Sequence, residues 1–347
     1  MIEHSKPSIG KEEEEAALRV LRTKFLAEGD EVRKFEAEVC ACIGAEGALA
    51  TSTGTFALHL ALLSLHIGKG DEVILPSYTC RSVLNAVLYC NATPVICDVN
   101  THDYTISLKD AQRKITRHTK ALLVAHMFGC PAPMDAFKKL GIPVIEDCAH
   151  AVGAVYLGRK VGSWGDLSVF SFEGTKYMVT GEGGMVLANN THLCQRLRSL
   201  KEPDSLTPPI KYTCRMTDLQ AAIGRAQLKK LPFFIEKRRY IAKRYHEWLK
   251  KFDVVLPLDK CHIFHRYMIQ IKGDIHSFMD ACLRKGVKVK QPVKPFPLHR
   301  YVRLPAKDFP VTEYLMHAAV SVPLYPSLTE KELNLIEKVV SGELKRC

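Results

Sequence analysis

Short apolar runs alternate with helical patterns through the first two thirds of the chain. The runs are Glu72–Leu75, Thr93–Asp98, Ala121–Ala125, Pro143–Asp147, Leu167–Ser171 and Gly184–Leu187. Several are apolar at successive positions, so both of their faces must be buried, as in the strands of a parallel sheet covered on two sides. Between them lie stretches of helical pattern: Phe56–Leu65, Val83–Tyr89, Ser107–Lys114 and Met134–Leu140. This alternation predicts an α/β fold, a mostly parallel central sheet flanked by helices. Ligands of such sheets gather beyond the carboxyl ends of the strands. Asp147 and Ser171 each end a run, and Thr53-Gly54-Thr55 precedes a helical stretch. These three places are where chemistry is expected.

After Leu231 the texture changes. Leu231-Pro232 is expected to break the pattern, with a long basic helix over Phe233–Lys251 behind it. The remainder, Val254–Cys347, has shorter elements and more proline. The expected division is a large domain over 1–231 and a smaller C-terminal domain over 232–347. Lys201–Tyr212, with Pro203, Pro208 and Pro209, reads as a loop.

Composition narrows the class. Hydrophobic residues make up 47% of the chain and charged residues 25%, which excludes a disordered or fibrous protein. Met1–Glu15 is acidic and polar, unlike a signal peptide, and no apolar run is long enough to cross a bilayer. A cytoplasmic protein with no membrane partner is expected. The 12 cysteines show no C-x-x-C pair and no zinc-finger spacing with histidine, so reduced thiols and no metal site are expected. The net charge of +12 is spread along the chain, densest in 229–251, with no nucleic-acid module. No nucleic-acid partner is expected, although such a charge also attracts anionic small substrates.

The first candidate stretch runs from Ser171 to Gly184. A lysine, Lys176, stands five residues after the serine that ends a strand, and Gly181, Gly183 and Gly184 follow. A lone loop lysine is ordinarily a solvated charge. A lysine that forms a Schiff base must instead sit on a constrained loop, in a pocket where its amine can lose a proton. The second stretch is Val144–Ala154. Asp147 at a buried strand end needs a cationic partner, and a protonated pyridine nitrogen is one. The bland alternative is a helix N-cap. His150 lies three residues on, where it could stack on or bond near such a ring. The third stretch is Ser52–Leu62, a Gly/Thr turn opening a helix. Free N–H groups and the helix dipole favour a phosphate there.

Together these stretches resemble the DegT/DnrJ/EryC1/StrS family, pyridoxal-5′-phosphate (PLP)-dependent aminotransferases of fold type I that act on nucleotide-linked keto-sugars. Further matches occur in the family's order: Gly70–Ser77, Ala92–Val95, Arg215–Gly224 and Val322–Pro326. The resemblance implies the PLP-dependent transferase fold with a smaller C-terminal α+β domain. It implies that Lys176 carries PLP as a Schiff base and moves protons, and that Asp147 pairs with the pyridine nitrogen. Ser171, Gly54, Thr55 and the Phe56 backbone would hold the phosphate. The segment around Arg215 would reach the phosphate of a partner subunit, which implies a homodimer with shared active sites.

Four positions depart from the family's pattern. His150 stands where glutamine is usual, and it can still hydrogen-bond the cofactor hydroxyl. Cys80 stands where many members place an aromatic over the ring. Thr213 replaces a frequent asparagine. Lys290–His299 lacks a His-Tyr pair that helps frame the substrate. The implied reaction moves an amino group from an amino acid, glutamate by analogy, to a keto group of a nucleotide-linked deoxysugar. Three alternatives stay open: a non-sugar cyclic ketone as acceptor, a PLP-dependent sugar dehydratase, and a non-catalytic relative that binds PLP or a sugar nucleotide.

Overall fold

The computed structural model describes residues 1–201, 210–258 and 261–346, with the expected sheet at its centre. Its strands are β1 (Gly47–Thr51), β2 (Glu72–Pro76), β3 (Thr93–Cys97), β4 (Thr119–Ala125), β5 (Val144–Asp147), β8 (Leu167–Ser171) and β9 (Gly184–Ala188). A short hairpin, β6 (Val155–Tyr156) and β7 (Arg159–Lys160), lies between β5 and β8 in sequence. The spatial order is β1-β9-β8-β5-β4-β2-β3. From β8 to β3 every pairing is parallel, and β9 runs antiparallel to both of its neighbours. The expected runs match these strands to within a residue or two. The edge strand β1 had no run assigned to it.

Eight helices precede the C-terminal part among the described residues: α1 (Lys11–Thr23), α2 (Asp30–Ile43), α3 (Gly54–Ser64), α4 (Arg81–Tyr89), α5 (Leu108–Arg113), α6 (Met134–Lys138), α7 (Thr191–Lys201) and α8 (Asp218–Leu249). The period of two along each strand divides its side chains between two packed faces. Leu75, Leu123, Ile145 and Val169 meet Leu58 and Leu62 of α3 and Leu84 of α4. Ile74, Leu122, Val124 and Val144 meet Phe137 of α6. Beside them on that face, Phe170, Met185 and Leu187 join Phe35 and Val39 of α2 and Phe234 of α8. The same alternation sends Asp147 to the α3 face and Glu146 to the other.

The expected break at Leu231-Pro232 does not occur. Helix α8 continues from Asp218 to Leu249 with Pro232 inside it. Proline removes one helical hydrogen bond and crowds the preceding turn. Here Leu231 and Phe234 are buried on either side, so packing carries the helix across the defect. The loop expected over 201–212 falls largely outside the described residues, and Lys201 itself ends α7.

The C-terminal part comprises β10 (Tyr267–Gln270), α9 (Ile275–Arg284), α10 (Leu298–Tyr301), α11 (Pro310–Ala318), β11 (Ala319–Val322) and α12 (Glu330–Leu344). Strands β10 and β11 pair antiparallel. A separate apolar cluster joins them to α9, α12 and the second half of α8 through Tyr245, Trp248, Tyr267, Phe278 and Ile336. The N-terminus reaches the same part, since Ile2 pairs with Val287.

Candidate active site

Three strand ends and one helix start meet at the carboxyl edge of the sheet. They enclose a cavity of about 260 Å³ lined by Gly54, Thr55, Cys80, Asp147, Ser171 and Lys176, among others. Strand alternation explains the set. Asp147 and Ser171 share the α3 face with Ile145 and Val169, so both point toward the N-terminus of α3.

That terminus is built by Thr53. Its Oγ1 accepts from the Phe56 N–H at 3.2 Å, capping the helix. The first-turn amides of Gly54 and Thr55 have no intrahelical carbonyl to bond. Two glycines let the turn settle against the sheet. A Cβ on Gly54 would stand 2.9 Å from Ser171 Cβ, and one on Gly184 would stand 2.4 Å from the Thr53 carbonyl oxygen. The result is a backbone cradle with the Ser171 hydroxyl at its rim. The Phe56 N–H, expected to face a phosphate, is occupied by its cap.

Lys176 sits on a loop tied shut across its base. Phe172 N–H donates to the Gly183 carbonyl at 2.9 Å, and Thr180 N–H to the Phe172 carbonyl at 2.8 Å. The Tyr177 hydroxyl donates to the Ile263 carbonyl. Lys176 Nζ lies 3.1 Å from His150 Nε2. Burial, then the charges of Lys176 and Arg266, hold His150 well below the ordinary imidazole value. The ring is therefore neutral, and its Nε2 accepts from the lysine amine. It is stacked between Phe128, at 5.9 Å, and His265, at 4.3 Å.

Asp147 is buried, 8% exposed. Its hydrogen bond among the described residues comes from the Ala149 N–H at 3.0 Å. Burial pushes its carboxyl up, partly offset by that bond and by the Lys176 charge. A buried carboxylate so thinly partnered calls for a cation. An amine, a buried anion, a cradle of free amides and a hydroxyl, set round one small cavity, fit the aldehyde, ring nitrogen and phosphate of PLP.

The other expected residues are placed less directly. Arg215 and Thr213 are exposed in the extended segment before α8 and do not line this cavity. The nearby motif has a local function instead. Thr217 and Gln220 form a capping box at the start of α8. Gln220 Nε2 also donates to the Glu182 carbonyl at 2.8 Å, fastening the glycine turn behind Lys176. Cys80 lines the cavity at the N-cap of α4 and is exposed. His265 and Phe128, which sandwich His150, had no signal in the sequence, because they come from segments far from it and from each other. The 11 described cysteines are all free.

Among the described residues one buried group could be mistaken for a metal site: His126, Glu146 and Cys148. The Ala132 N–H donates to His126 Nδ1 at 3.0 Å, so the proton lies on Nε2, which donates to Glu146 at 2.9 Å. Both ring nitrogens are occupied within the chain.

Comparison with known proteins agrees with this geometry. The model of the DegT/DnrJ/EryC1/StrS aminotransferase family matches residues 7–341. The chain is 34% identical to GDP-perosamine synthase of Escherichia coli O157:H7, over 94% of each chain. Among solved structures, an aminotransferase from Psychrobacter cryohalolentis superposes with a TM-score of 0.92 at 28% identity, covering 100% of this chain and 99% of that one. A 3-amino-5-hydroxybenzoic acid synthase superposes with a TM-score of 0.91 at 26% identity, over 100% of both. The fold is that of a PLP-dependent aminotransferase. The chain belongs to the DegT/DnrJ/EryC1/StrS aminotransferase family.

Proposed function

We propose that this aminotransferase moves an amino group from glutamate to a keto group on a nucleotide-linked deoxysugar. The observation that carries the reading is Lys176, held on its tied loop at a cavity that also presents Asp147 and the Gly54–Ser171 cradle. The likeness to GDP-perosamine synthase supports the sugar nucleotide as acceptor, and the +12 charge favours an anionic substrate.

When bound, PLP supplies an electron sink for bond-breaking at the amino-acid α-carbon. The chain supplies placement and protons. Lys176 would hold the cofactor, and its amine would move the proton at the substrate carbon. His150 accepts from the lysine amine and keeps it aimed into the cavity. Asp147 would keep the ring nitrogen protonated, and Ser171 with the Gly54 and Thr55 amides would hold the phosphate. Arg215 of a second subunit would complete the phosphate site, in a homodimer whose large and small domains divide near residue 231. No helix among the described residues is long and apolar enough to cross a membrane, and we assign the enzyme to the cytoplasm.

The test is an absorption spectrum with added PLP. Wild type should show a band near the visible edge that bleaches with glutamate, and Lys176→Ala should lack it. A mutant that keeps a borohydride-reducible band would end the assignment of Lys176. The acceptor is then sought among GDP-, UDP- and dTDP-linked keto-sugars and free cyclic ketones. The likeness to 3-amino-5-hydroxybenzoic acid synthase keeps the cyclic ketone as the second reading. Turnover of a free ketone alone would replace the sugar nucleotide by it.

A further inference from the structure

Two arginines lie close to the Lys176 loop, and they are treated very differently by the fold. Arg238 is fully enclosed, and its Nη1 donates to the carbonyls of Phe264, His265 and Leu324 at 3.3, 3.0 and 2.9 Å. Its guanidinium also lies 4.6 Å over the Tyr177 ring. One arm of Arg238 thereby braces the backbone on which Arg266 stands, while its Nε has no partner among the described residues. Arg266 has only its backbone N–H engaged, by the Phe128 carbonyl at 3.2 Å. Its guanidinium makes no hydrogen bond or ion pair among the described residues. Glu173 is near enough to be felt electrostatically but does not bond it.

The groups around Arg266 share this lack. His265 is 4% exposed, and both of its ring nitrogens are without partners among the described residues. The Tyr78 hydroxyl is fully buried and has no partner among the described residues. Both feel the Arg266 charge, as does His150, the partner of Lys176. Buried polar groups are nearly always satisfied, so several orphans round one cation mark a place that a ligand completes. The ligand must be an anion with paired acceptor oxygens, because a guanidinium presents a planar fork of donors.

We propose that Arg266 receives the carboxylate of the amino-acid donor. The inference rests on the amino-acid half of the reaction proposed above. The α-carboxylate is one bond from the carbon at which Lys176 works, so its receptor must stand near the Lys176 loop, and Arg266 shares a small cavity with Thr175 of that loop. The diphosphate of a sugar nucleotide is separated from the keto carbon by the sugar ring and belongs further away. Space agrees. The cavity that Arg266 lines with His4, Ser5, Thr175 and His265 measures about 10 Å³, room for a water or the edge of a carboxylate but not for a diphosphate. The N-terminal segment closes it, with His4 Nε2 2.8 Å from Ser321 Oγ.

The test uses the PLP-loaded enzyme. Binding of glutamate is followed by the cofactor's absorption, and binding of α-methylglutamate, which cannot lose an α-proton, by calorimetry. Arg266→Gln should weaken both by roughly 10- to 100-fold, the scale of a lost charge-assisted hydrogen bond or two. The Michaelis constant for the acceptor in the second half-reaction should be unchanged. Arg266→Lys keeps the charge but not the fork and should fall between, which guards against a glutamine variant that does not fold. Unchanged donor binding in either folded variant, or a loss confined to the acceptor, overturns the inference. A wild type that no amino acid converts would instead fail the proposed reaction, so the two failures are told apart.

Discussion

Glu146 and Asp147 are neighbours at the end of one strand, both buried, and their surroundings differ completely. Glu146 accepts from His126 Nε2 at 2.9 Å and from the amides of Gly162, Trp164 and Gly165 at 2.8, 2.8 and 2.6 Å. Burial pushes its carboxyl up, but these bonds outweigh it and hold the group below the ordinary glutamate value. Asp147, on the opposite face, has the Ala149 amide and a raised carboxyl. One carboxylate is satisfied by its own chain and fastens a loop. The other is left short of partners beside Lys176. The pair separates a structural charge from a functional one by whether the fold already meets its demand.

Substitution of Asp147 should have the larger effect on activity. Asp147→Asn removes the anion proposed to face the ring nitrogen while keeping shape. We expect kcat to fall on the order of 10²–10³-fold, the scale of losing one preorganised electrostatic partner. Stability should move the other way in protein freed of PLP. The folded carboxyl is raised, so the folded state keeps a proton that the unfolded chain has released. Wild-type stability is then greatest below the ordinary aspartate value and declines as pH rises through the raised one. Asparagine abolishes that slope, and melting curves across acid pH would reveal it. Equal slopes in both proteins, or undiminished turnover, would remove Asp147 from its proposed role.

For Glu146 the signs reverse. Glu146→Gln puts an amide NH₂ against backbone donors, so at least one is left unpaired. We expect a loss of about 2–4 kcal/mol in unfolding free energy, with the cofactor band retained. The folded carboxyl is depressed, so its contribution is present above the ordinary glutamate value and lost as pH falls through the depressed one. Denaturant unfolding of both proteins at neutral pH measures the gap. A variant as stable as wild type would mean that the four donors find other partners.

Much of the first region was legible because its causes are local. Strand runs, the Thr53-Gly54 turn and the glycines after Lys176 each act within a few residues of themselves. The period of two then places Asp147 and Ser171 on the α3 face without further information. What the sequence hid is made by contacts between distant segments. His265 and Phe128 stack on His150 from two unrelated places. Pro232 was read as a break, but buried neighbours override the local cost of a proline. The T-x-x-Q pattern at Thr217–Gln220 was present as a helix-start signal, yet only the fold shows that its glutamine also fastens the turn at Glu182.

The smallest effect is expected at His150, where the family usually has glutamine. His150→Gln keeps an acceptor for the Lys176 amine and gives up the stack between Phe128 and His265. Such ring pairs contribute about 0.5–1.5 kcal/mol, so kcat/KM should fall by no more than roughly tenfold. His150→Ala loses the hydrogen bond as well and should cost more. The two variants together sort packing from proton chemistry. Burial and the neighbouring cations keep His150 neutral in the folded protein, far from its ordinary titration range. The acid limb of the pH–rate profile should therefore stay in place in His150→Gln. If that limb moves, His150 changes protonation during turnover. The contrast between satisfied and unsatisfied groups would then extend from Asp147 to the imidazole that holds the lysine.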